Sequence, residues 1–343
     1  MEKVMSRKLI TISTIMTLMS TSVIADVPNV AADIAPIHSL VSRVMDGVGA
    51  PKLIVQSGAS PHGYRLRPSE AKALQDADHV FWMGEELTPW LDSAIGTLAS
   101  KASVTTLLDQ QGVILHDFRE GALFEAHDHS AHGDDDHDDH DDHDDHDDHK
   151  DHDDHDDHKD HDDHDDHKDH DDHDDHDDHG SHDPHAWLSP ENAKLWLNII
   201  ASKLSVSDPE NAATYFMNAA AGQAEIEAMI AEVKATLKPV QGGKFVVFHD
   251  AYQYFENDFD FYASGAISLG DSSDPSPARI EKVQKRIRDE GIQCVLAEPQ
   301  FKKGLVATVM EGSDATASVI DPLGTELEAG PKLYTQLIKN MAK

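Results

Sequence analysis

The protein has 343 residues, and its 65 acidic and 28 basic side chains give a formal net charge of −37 at neutral pH. Residues 127–182 contribute −26 of this charge through 29 Asp and three Lys, so the rest of the chain carries only −11. No basic face that could neutralise phosphates is visible, which argues against a nucleic-acid-binding protein. Cys294 is the single cysteine, which excludes an intramolecular disulfide and an all-cysteine metal site.

The N-terminus is typical of a secretory signal peptide spanning residues 1–25. Three basic residues precede a mostly apolar run, and small residues lead up to Ala25. We expect cleavage near Ala25, so that the mature chain starts near Asp26 and lies outside the cytoplasm. No other segment reaches the roughly 20 apolar residues that a membrane-spanning helix needs.

Strand and helix patterns alternate along the first part of the mature chain. Short apolar runs predict buried strands, and apolar residues at a spacing of three and four predict amphipathic helices. This alternation favours an α/β lobe with a largely parallel sheet. The predicted strands are Lys52–Gln56 and Asp78–Gly84, and the predicted helices are Pro36–Met45, Pro68–Ala77 and Trp90–Leu98.

The same alternation returns near the C-terminus. The predicted strands are Lys244–Phe248, Gln293–Ala297 and Ala317–Ile320, and the predicted helices are Ala251–Glu256, Ala278–Glu290 and a last helix that starts at Gly330-Pro331 and ends near Met341. Between the two regions, Ser207-Asp208-Pro209-Glu210 matches a capping box and opens an Ala/Glu-rich helix that ends near Lys238.

The predicted fold class is therefore α/β, with two lobes joined by one long, rigid helix. The predicted divisions of the chain are a signal peptide at 1–25, an N-terminal lobe at 26–126, a His/Asp-rich run at 127–182, the end of the N-terminal lobe at 183–206, the connecting helix at 207–239 and a C-terminal lobe at 240–343.

The run at 127–182 holds 19 of the 25 histidines, and from His137 to His179 a histidine recurs at every third position. It has too little apolar surface to offset the entropy of ordering, so we expect it to be disordered. Neutral imidazole binds borderline divalent cations such as Zn²⁺, and Asp adds oxygen ligands. The run therefore predicts weak, multiple metal binding, which falls as the histidines are protonated near pH ~6.5.

Three candidate ligands outside the run follow predicted strands, and a fourth adjoins the run. His62 lies in a loop beyond the first strand, His249 directly follows the strand Lys244–Phe248, and Asp321 follows the last strand. Ligands bind beyond the carboxyl ends of strands in open parallel sheets, so these side chains can face one cleft. His185 closes the run and can join them, and three imidazoles with one carboxylate suit Zn²⁺.

Six segments, in this order along the chain, carry a resemblance to a known family. They are PIHS at 36–39, SPHGYRLRPS at 60–69, DPHAWLSP at 183–190, FHDAYQYF at 248–255, AEPQF at 297–301 and DPLG at 321–324. On these segments the chain resembles the zinc-specific periplasmic solute-binding proteins of ABC transporters, the ZnuA family.

The resemblance implies metal in a cleft between two α/β lobes, with His62, His185 and His249 as ligands. It leaves the fourth position to Asp321 or to water, because Pro61 stands where some relatives carry a glutamate ligand. Relatives that bind manganese or iron usually have Glu in place of the third ligand histidine, so His249 favours zinc. The implied partner is an inner-membrane ABC permease, and the implied state is a monomer in the periplasm.

Three other interpretations remain open at this point. A three-histidine zinc with an open position could be a hydrolase or hydratase site, although no HExxH motif occurs and no general base stands beside a ligand. The run could make the protein a zinc buffer or store, although storage needs no cleft. The transported metal could also be manganese or iron. We expect a transport protein and not an enzyme, with zinc as its cargo and the run as an auxiliary collector or sensor.

Overall fold

The computed structural model describes residues 27–119, 124, 182–268, 270, 275–300 and 303–343. The predicted signal peptide and residues 127–181 of the predicted His/Asp-rich run lie outside the described residues. Among the described helices, none is both long and apolar enough to cross a membrane.

The N-terminal lobe is built on a four-stranded parallel sheet with the order β2-β1-β3-β4. Its strands are β1 (Val30–Ala32), β2 (Lys52–Leu53), β3 (His79–Trp82) and β4 (Ser103–Thr106), and its helices are α1 (Ala35–Val44), α2 (Pro68–Gln75) and α3 (Pro89–Leu98). Each of these helices has a proline in its first turn, where no intrahelical N–H bond is lost.

One long helix connects the lobes, and it begins a few residues after the capping box because a preceding helix ends at Ser207. Helix α4 (Pro190–Ser207) continues through Ser207, and a short 3₁₀ turn separates it from α5 (Ala212–Leu237). Asp208 caps the turn instead, because its carboxylate accepts hydrogen bonds from the Asn211 backbone and the Tyr215 hydroxyl. Since α5 has 26 residues, it is about 39 Å long and gives the two lobes a common support.

The C-terminal lobe repeats the topology of the first, with a parallel sheet in the order β6-β5-β7-β8. Its strands are β5 (Phe245–His249), β6 (Ala266–Ser268), β7 (Cys294–Ala297) and β8 (Thr316–Val319), and its helices are α6 (Gln253–Phe259), α7 (Pro277–Glu290), α8 (Lys303–Met310) and α9 (Leu333–Met341). Gly291 ends α7 with φ +65°, a conformation that favours glycine.

The last helix returns to the N-terminal lobe. Helix α9 packs against α1 and α5, and its Tyr334 hydroxyl donates to the backbone oxygen of Trp187 at 2.9 Å. On α1, the Ser39 hydroxyl donates to the backbone oxygen of Gly330 at 2.7 Å. One apolar core therefore runs from the first lobe through α4 and α5 to the last helix.

Candidate metal site

The structure brings three predicted ligands together between the lobes. Ligand nitrogens of His62, His185 and His249 all lie within 4.8 Å of one another, which makes them the one such group found among the described residues. Their ring centroids are 4.8 to 6.0 Å apart, and the rings are tilted or edge-on instead of stacked. Three imidazoles that converge without stacking can direct their lone pairs to one cation.

Each histidine comes from a different part of the fold. His62 lies in the loop between β2 and α2, His185 directly precedes the 3₁₀ turn before α4, and His249 is the last residue of β5. His185 and His249 are each 3% exposed, whereas His62 is only partly buried. The site therefore has two fixed, buried histidines and a third on the side that is open to solvent.

Buried carboxylates orient the two buried rings. Nδ1 of His185 lies 2.7 Å from Oδ1 of Asp183, and Nδ1 of His249 lies 3.2 Å from Oε1 of Glu298. A carboxylate accepts, so Nδ1 is the protonated nitrogen in each neutral ring and Nε2 is the one that can bind a cation. Gln300 in turn donates to the second oxygen of Glu298 at 2.6 Å.

The environment of Asp183 has a direct electrostatic consequence. This side chain is 1% exposed, and burial raises its pKa to about 6, although the His185 backbone and Arg119 act in the opposite direction. At neutral pH the carboxylate is charged and holds the His185 ring. A cation bound by that ring would be favoured by the nearby negative charge.

His62 is held through its backbone neighbours. The Trp90 indole donates to the backbone oxygen of Pro61 at 2.7 Å, and the His62 N–H donates to the Ser60 hydroxyl at 3.3 Å. The Tyr64 ring packs on Trp90 with the centroids 5.6 Å apart. Helix α3 therefore fixes the position of the loop that carries His62.

Asp321 is not part of the histidine group. Its two carboxylate oxygens accept hydrogen bonds from the backbone of Leu323, Gly324 and Thr325 and from the Thr325 hydroxyl, at 2.6 to 3.0 Å. Gly324 has φ +69°, so this turn requires a residue that tolerates the left-handed region. In the structure, Asp321 shapes the turn, and the adjoining Pro322 and Leu323 line the cleft with the histidines.

Three further histidines outside the run were not predicted as ligands, and they form other contacts. His38 is buried on α1 and bonds to the backbone oxygen of Pro51, and His79 bonds to the Ser207 hydroxyl. His116 lies 3.1 Å from the Asn257 amide. Asp183 and Glu298 were not among the predicted ligands, although Asp183 stands two residues before the predicted ligand His185.

Comparisons with known proteins agree with this architecture. Residues 30–343 match the family described as "Zinc-uptake complex component A periplasmic". The protein named "High-affinity zinc uptake system protein ZnuA" from Brucella abortus (strain 2308) is 48% identical over 91% of this chain and 89% of its own length. The protein of the same name from Paracoccus denitrificans is 44% identical over 93% and 91%.

Solved structures of lower identity share the fold. A structure titled "Crystal structure of ZnuA" is 19% identical with a TM-score of 0.66, over 92% of this chain and 98% of that one. The laminin-binding adhesin of Streptococcus agalactiae is 18% identical with a TM-score of 0.66, over 92% and 97%. The extent of the family match and the identity of the curated relatives establish that this chain belongs to the ZnuA family.

Proposed function

We propose that this chain is a periplasmic, high-affinity zinc-binding protein that captures Zn²⁺ and delivers it to an inner-membrane ABC permease. One observation carries the proposal: three histidines from separate parts of the two-lobed fold converge within 4.8 Å. The chain also belongs to a family of zinc-uptake components, and its curated relatives are named as zinc-uptake proteins.

The donor set favours zinc over harder cations. Three imidazole nitrogens suit borderline metals such as Zn²⁺, whereas Mn²⁺ and Mg²⁺ prefer oxygen ligands. The carboxylates of Asp183 and Glu298 are occupied by the Nδ1 atoms of His185 and His249 and raise the basicity of these rings. We therefore assign manganese as a weaker alternative cargo.

The proposed ligand set is His62, His185, His249 and a fourth group. Asp321 becomes that fourth ligand if its turn directs the carboxylate towards the histidines, and a water molecule is the alternative. The four hydrogen bonds that Asp321 accepts within its own turn favour water for the conformation described here.

Capture and release follow from the unequal burial of the ligands. His185 and His249 are buried and braced, so they form a fixed half-site. His62 is on a loop and is partly exposed, so zinc enters and leaves past this residue. We propose that the permease obtains the ion by displacing the His62 loop.

We also propose that the protein is not an enzyme, so that it neither forms nor breaks covalent bonds in its cargo or in other molecules, and that it acts as a monomer. A hydrolytic zinc site needs a general base beside the bound water. Asp183 and Glu298, the carboxylates that contact the ligand rings, are already hydrogen-bonded to them. The His/Asp-rich run, as an auxiliary low-affinity collector or sensor, belongs to this proposal as well.

The test is a zinc competition titration of metal-stripped mature protein. It compares the full chain with a variant that lacks residues 127–181, each with and without His62→Ala. We expect one tight site that persists without the run and disappears with His62→Ala. Manganese, added in a parallel titration, should compete only in large excess.

Two results would overturn the proposal. Loss of tight binding upon deletion of the run, with no effect of His62→Ala, would favour a buffering protein. Ester or bicarbonate turnover by the zinc-loaded protein that His62→Ala abolishes would favour an enzyme. Light scattering of the same samples tests the monomeric state.

A further inference from the structure

Arg119 joins the two lobes beside the histidine group. The backbone of Ile114, five residues earlier, exchanges two hydrogen bonds with the Asn192 side chain of α4, so this segment is fixed to the N-terminal lobe. The Arg119 guanidinium then reaches the C-terminal lobe. It donates to both oxygens of Asp250 and to both oxygens of Glu256, with Nε to Asp250 Oδ1 at 3.0 Å and Nη1 to Glu256 Oε2 at 2.7 Å.

The buried carboxylates of Asp250 and Glu256 depend on the Arg119 guanidinium to balance their charge. The side chains of Asp250 and Glu256 are 7% and 2% exposed, and that of Arg119 is 16% exposed. A buried carboxylate without a partner is strongly unfavourable. A planar guanidinium can serve two carboxylates at once through its fixed set of donors, which a lysine ammonium cannot do with the same geometry.

The network adjoins two of the proposed ligands. Asp250 directly follows His249, and its backbone N–H donates to the Ser268 backbone oxygen at 3.2 Å. On the other side, the Tyr254 hydroxyl donates to the backbone oxygen of Asp183, two residues before His185, at 2.7 Å.

The segment that carries Arg119 also contacts the chain that leads to His185. The His116 backbone N–H donates to the Tyr254 hydroxyl at 3.1 Å, and the Asp183 N–H donates to the His116 backbone oxygen at 2.8 Å. Asp117 and His182 form an antiparallel bridge and a side-chain contact at 2.9 Å. Residues 116–119 therefore hold the two buried ligand positions in one hydrogen-bonded network.

We propose that Arg119 is a positioning residue for zinc binding, which fixes the distance between His249 and His185 by tying Asp250 and Glu256 to the N-terminal lobe. This inference rests on the proposed zinc-binding function. Arg119 itself does not contact the metal. Its effect is to keep the buried half-site in the geometry that a tetrahedral cation requires, since ligand displacement lowers metal affinity.

Arg43 provides a matched control on the same chain. It is a similarly buried arginine, with 14% side-chain exposure, and it pairs with Glu225 of α5 at 3.0 Å. This pair joins α1 to α5 and involves none of the histidines. An arginine that serves only general stability should behave like Arg43.

The experiment measures zinc affinity, zinc release and the absorption spectrum of the Co²⁺-loaded form for full-length mature protein. The variants are Arg119→Gln, Arg119→Lys and Arg43→Gln, and the cleft site is defined as the tight site that His62→Ala removes. We expect Arg119→Gln to weaken the cleft site by about tenfold to a hundredfold and to accelerate release. Arg119→Lys should give an intermediate loss, and the zinc affinity of Arg43→Gln should stay within about twofold of wild type. The Co²⁺ spectrum should change only in the Arg119 variants.

Unchanged affinity and spectrum in both Arg119 variants would overturn the inference, as would an equal loss in Arg43→Gln. If Arg119→Gln does not fold, the zinc affinity and Co²⁺ spectrum of Arg119→Lys test the inference, because this variant keeps a positive charge beside the two carboxylates. A wild-type protein without a His62-dependent tight site would instead refute the proposed function, and the inference would fail with it.

Discussion

Nδ1 of His249 lies 3.2 Å from Oε1 of Glu298, and the two residues stand at the carboxyl ends of β5 and β7. These strands are neighbours at the point where the strand order of the second sheet reverses, a place where open parallel sheets bind ligands. In the first sheet the equivalent point lies between β1 and β3. There the Asp33 carboxylate accepts a hydrogen bond from the Met83 backbone N–H at 2.7 Å. The predicted ligand His62 lies in the loop after β2 of this lobe.

The contact between His249 and Glu298 predicts the effect of Glu298→Gln. The amide can still accept from Nδ1, but it lacks the negative charge that increases the basicity of the ring. We expect zinc affinity to fall about tenfold, as is typical for outer carboxylates of metal-binding histidines. Competition titration measures this, and Glu225→Gln, which alters an exposed acid on α5, should change affinity by less than about twofold. Equal effects of the two substitutions would contradict the assigned role of Glu298.

The bond between Trp90 and Pro61 predicts the effect of Trp90→Phe. This substitution keeps an aromatic ring against Tyr64 but removes the donor that fixes the His62 loop. We expect zinc release to accelerate by about threefold to tenfold, while the free energy of unfolding falls by about 1 kcal/mol.

Trp82→Phe is the matched control for Trp90→Phe, because the Trp82 indole also donates one hydrogen bond, but to the Thr106 hydroxyl on β4. Stopped-flow release with a chelator separates the two variants. Equal release rates in both would exclude a role of Trp90 in holding the loop.

Asp321→Asn distinguishes the two candidates for the fourth ligand. If the carboxylate binds zinc, the neutral amide should weaken binding by at least tenfold. If water completes the site, affinity should change by less than about threefold and the main effect should be a less stable turn at 321–325. From the hydrogen bonds of Asp321 we expect the second result, measured by competition titration alongside thermal unfolding.

Asp33 predicts a pH dependence of stability. Its side chain is fully buried, and burial raises its pKa to about 7 from the ordinary 3.8. Between these values the folded protein keeps a proton that the unfolded chain has lost. The contribution of Asp33 to the free energy of unfolding therefore falls as pH rises from about 4 to about 7, by about 1.4 kcal/mol per pH unit, and is level above that range.

Urea unfolding of metal-stripped wild type and Asp33→Asn, compared at several pH values, isolates this contribution. The free energy of unfolding of wild type, relative to that of Asp33→Asn, should fall by roughly 4 kcal/mol between about pH 4 and about pH 7 and then stay constant. Parallel pH profiles for the two proteins would show that Asp33 does not titrate in this way.

Much of the architecture follows from local patterns. The strands β3, β5, β7 and β8 and all helices of the two lobes except α8 follow apolar runs or apolar periodicity, often with a proline in the first helical turn, and these are local properties. Helix α8 was not predicted. Three strands were missed: β1, β4 and β6 are three or four residues long and have no strong pattern of their own. They form because neighbouring parallel strands supply their hydrogen-bond partners. The predicted strand at 52–56 is shorter in the structure, although the N–H groups of Ile54 and Val55 still bond to the end of β1.

The sequence by itself determined the α/β class, the acidic run and three histidines that follow strands or adjoin the run. These depend on residue type and spacing, which are local. Only the tertiary structure decided that the three histidines converge, that Asp183 and Glu298 orient two of them, and that Arg119 connects the lobes beside them. The partners in the Glu298 and Arg119 contacts are 49 to 137 residues apart, and their approach depends on how the two sheets pack about α4 and α5. Asp321 shows the same limit, because its position after β8 predicted a ligand, and only the folded turn shows the four hydrogen bonds that its oxygens accept.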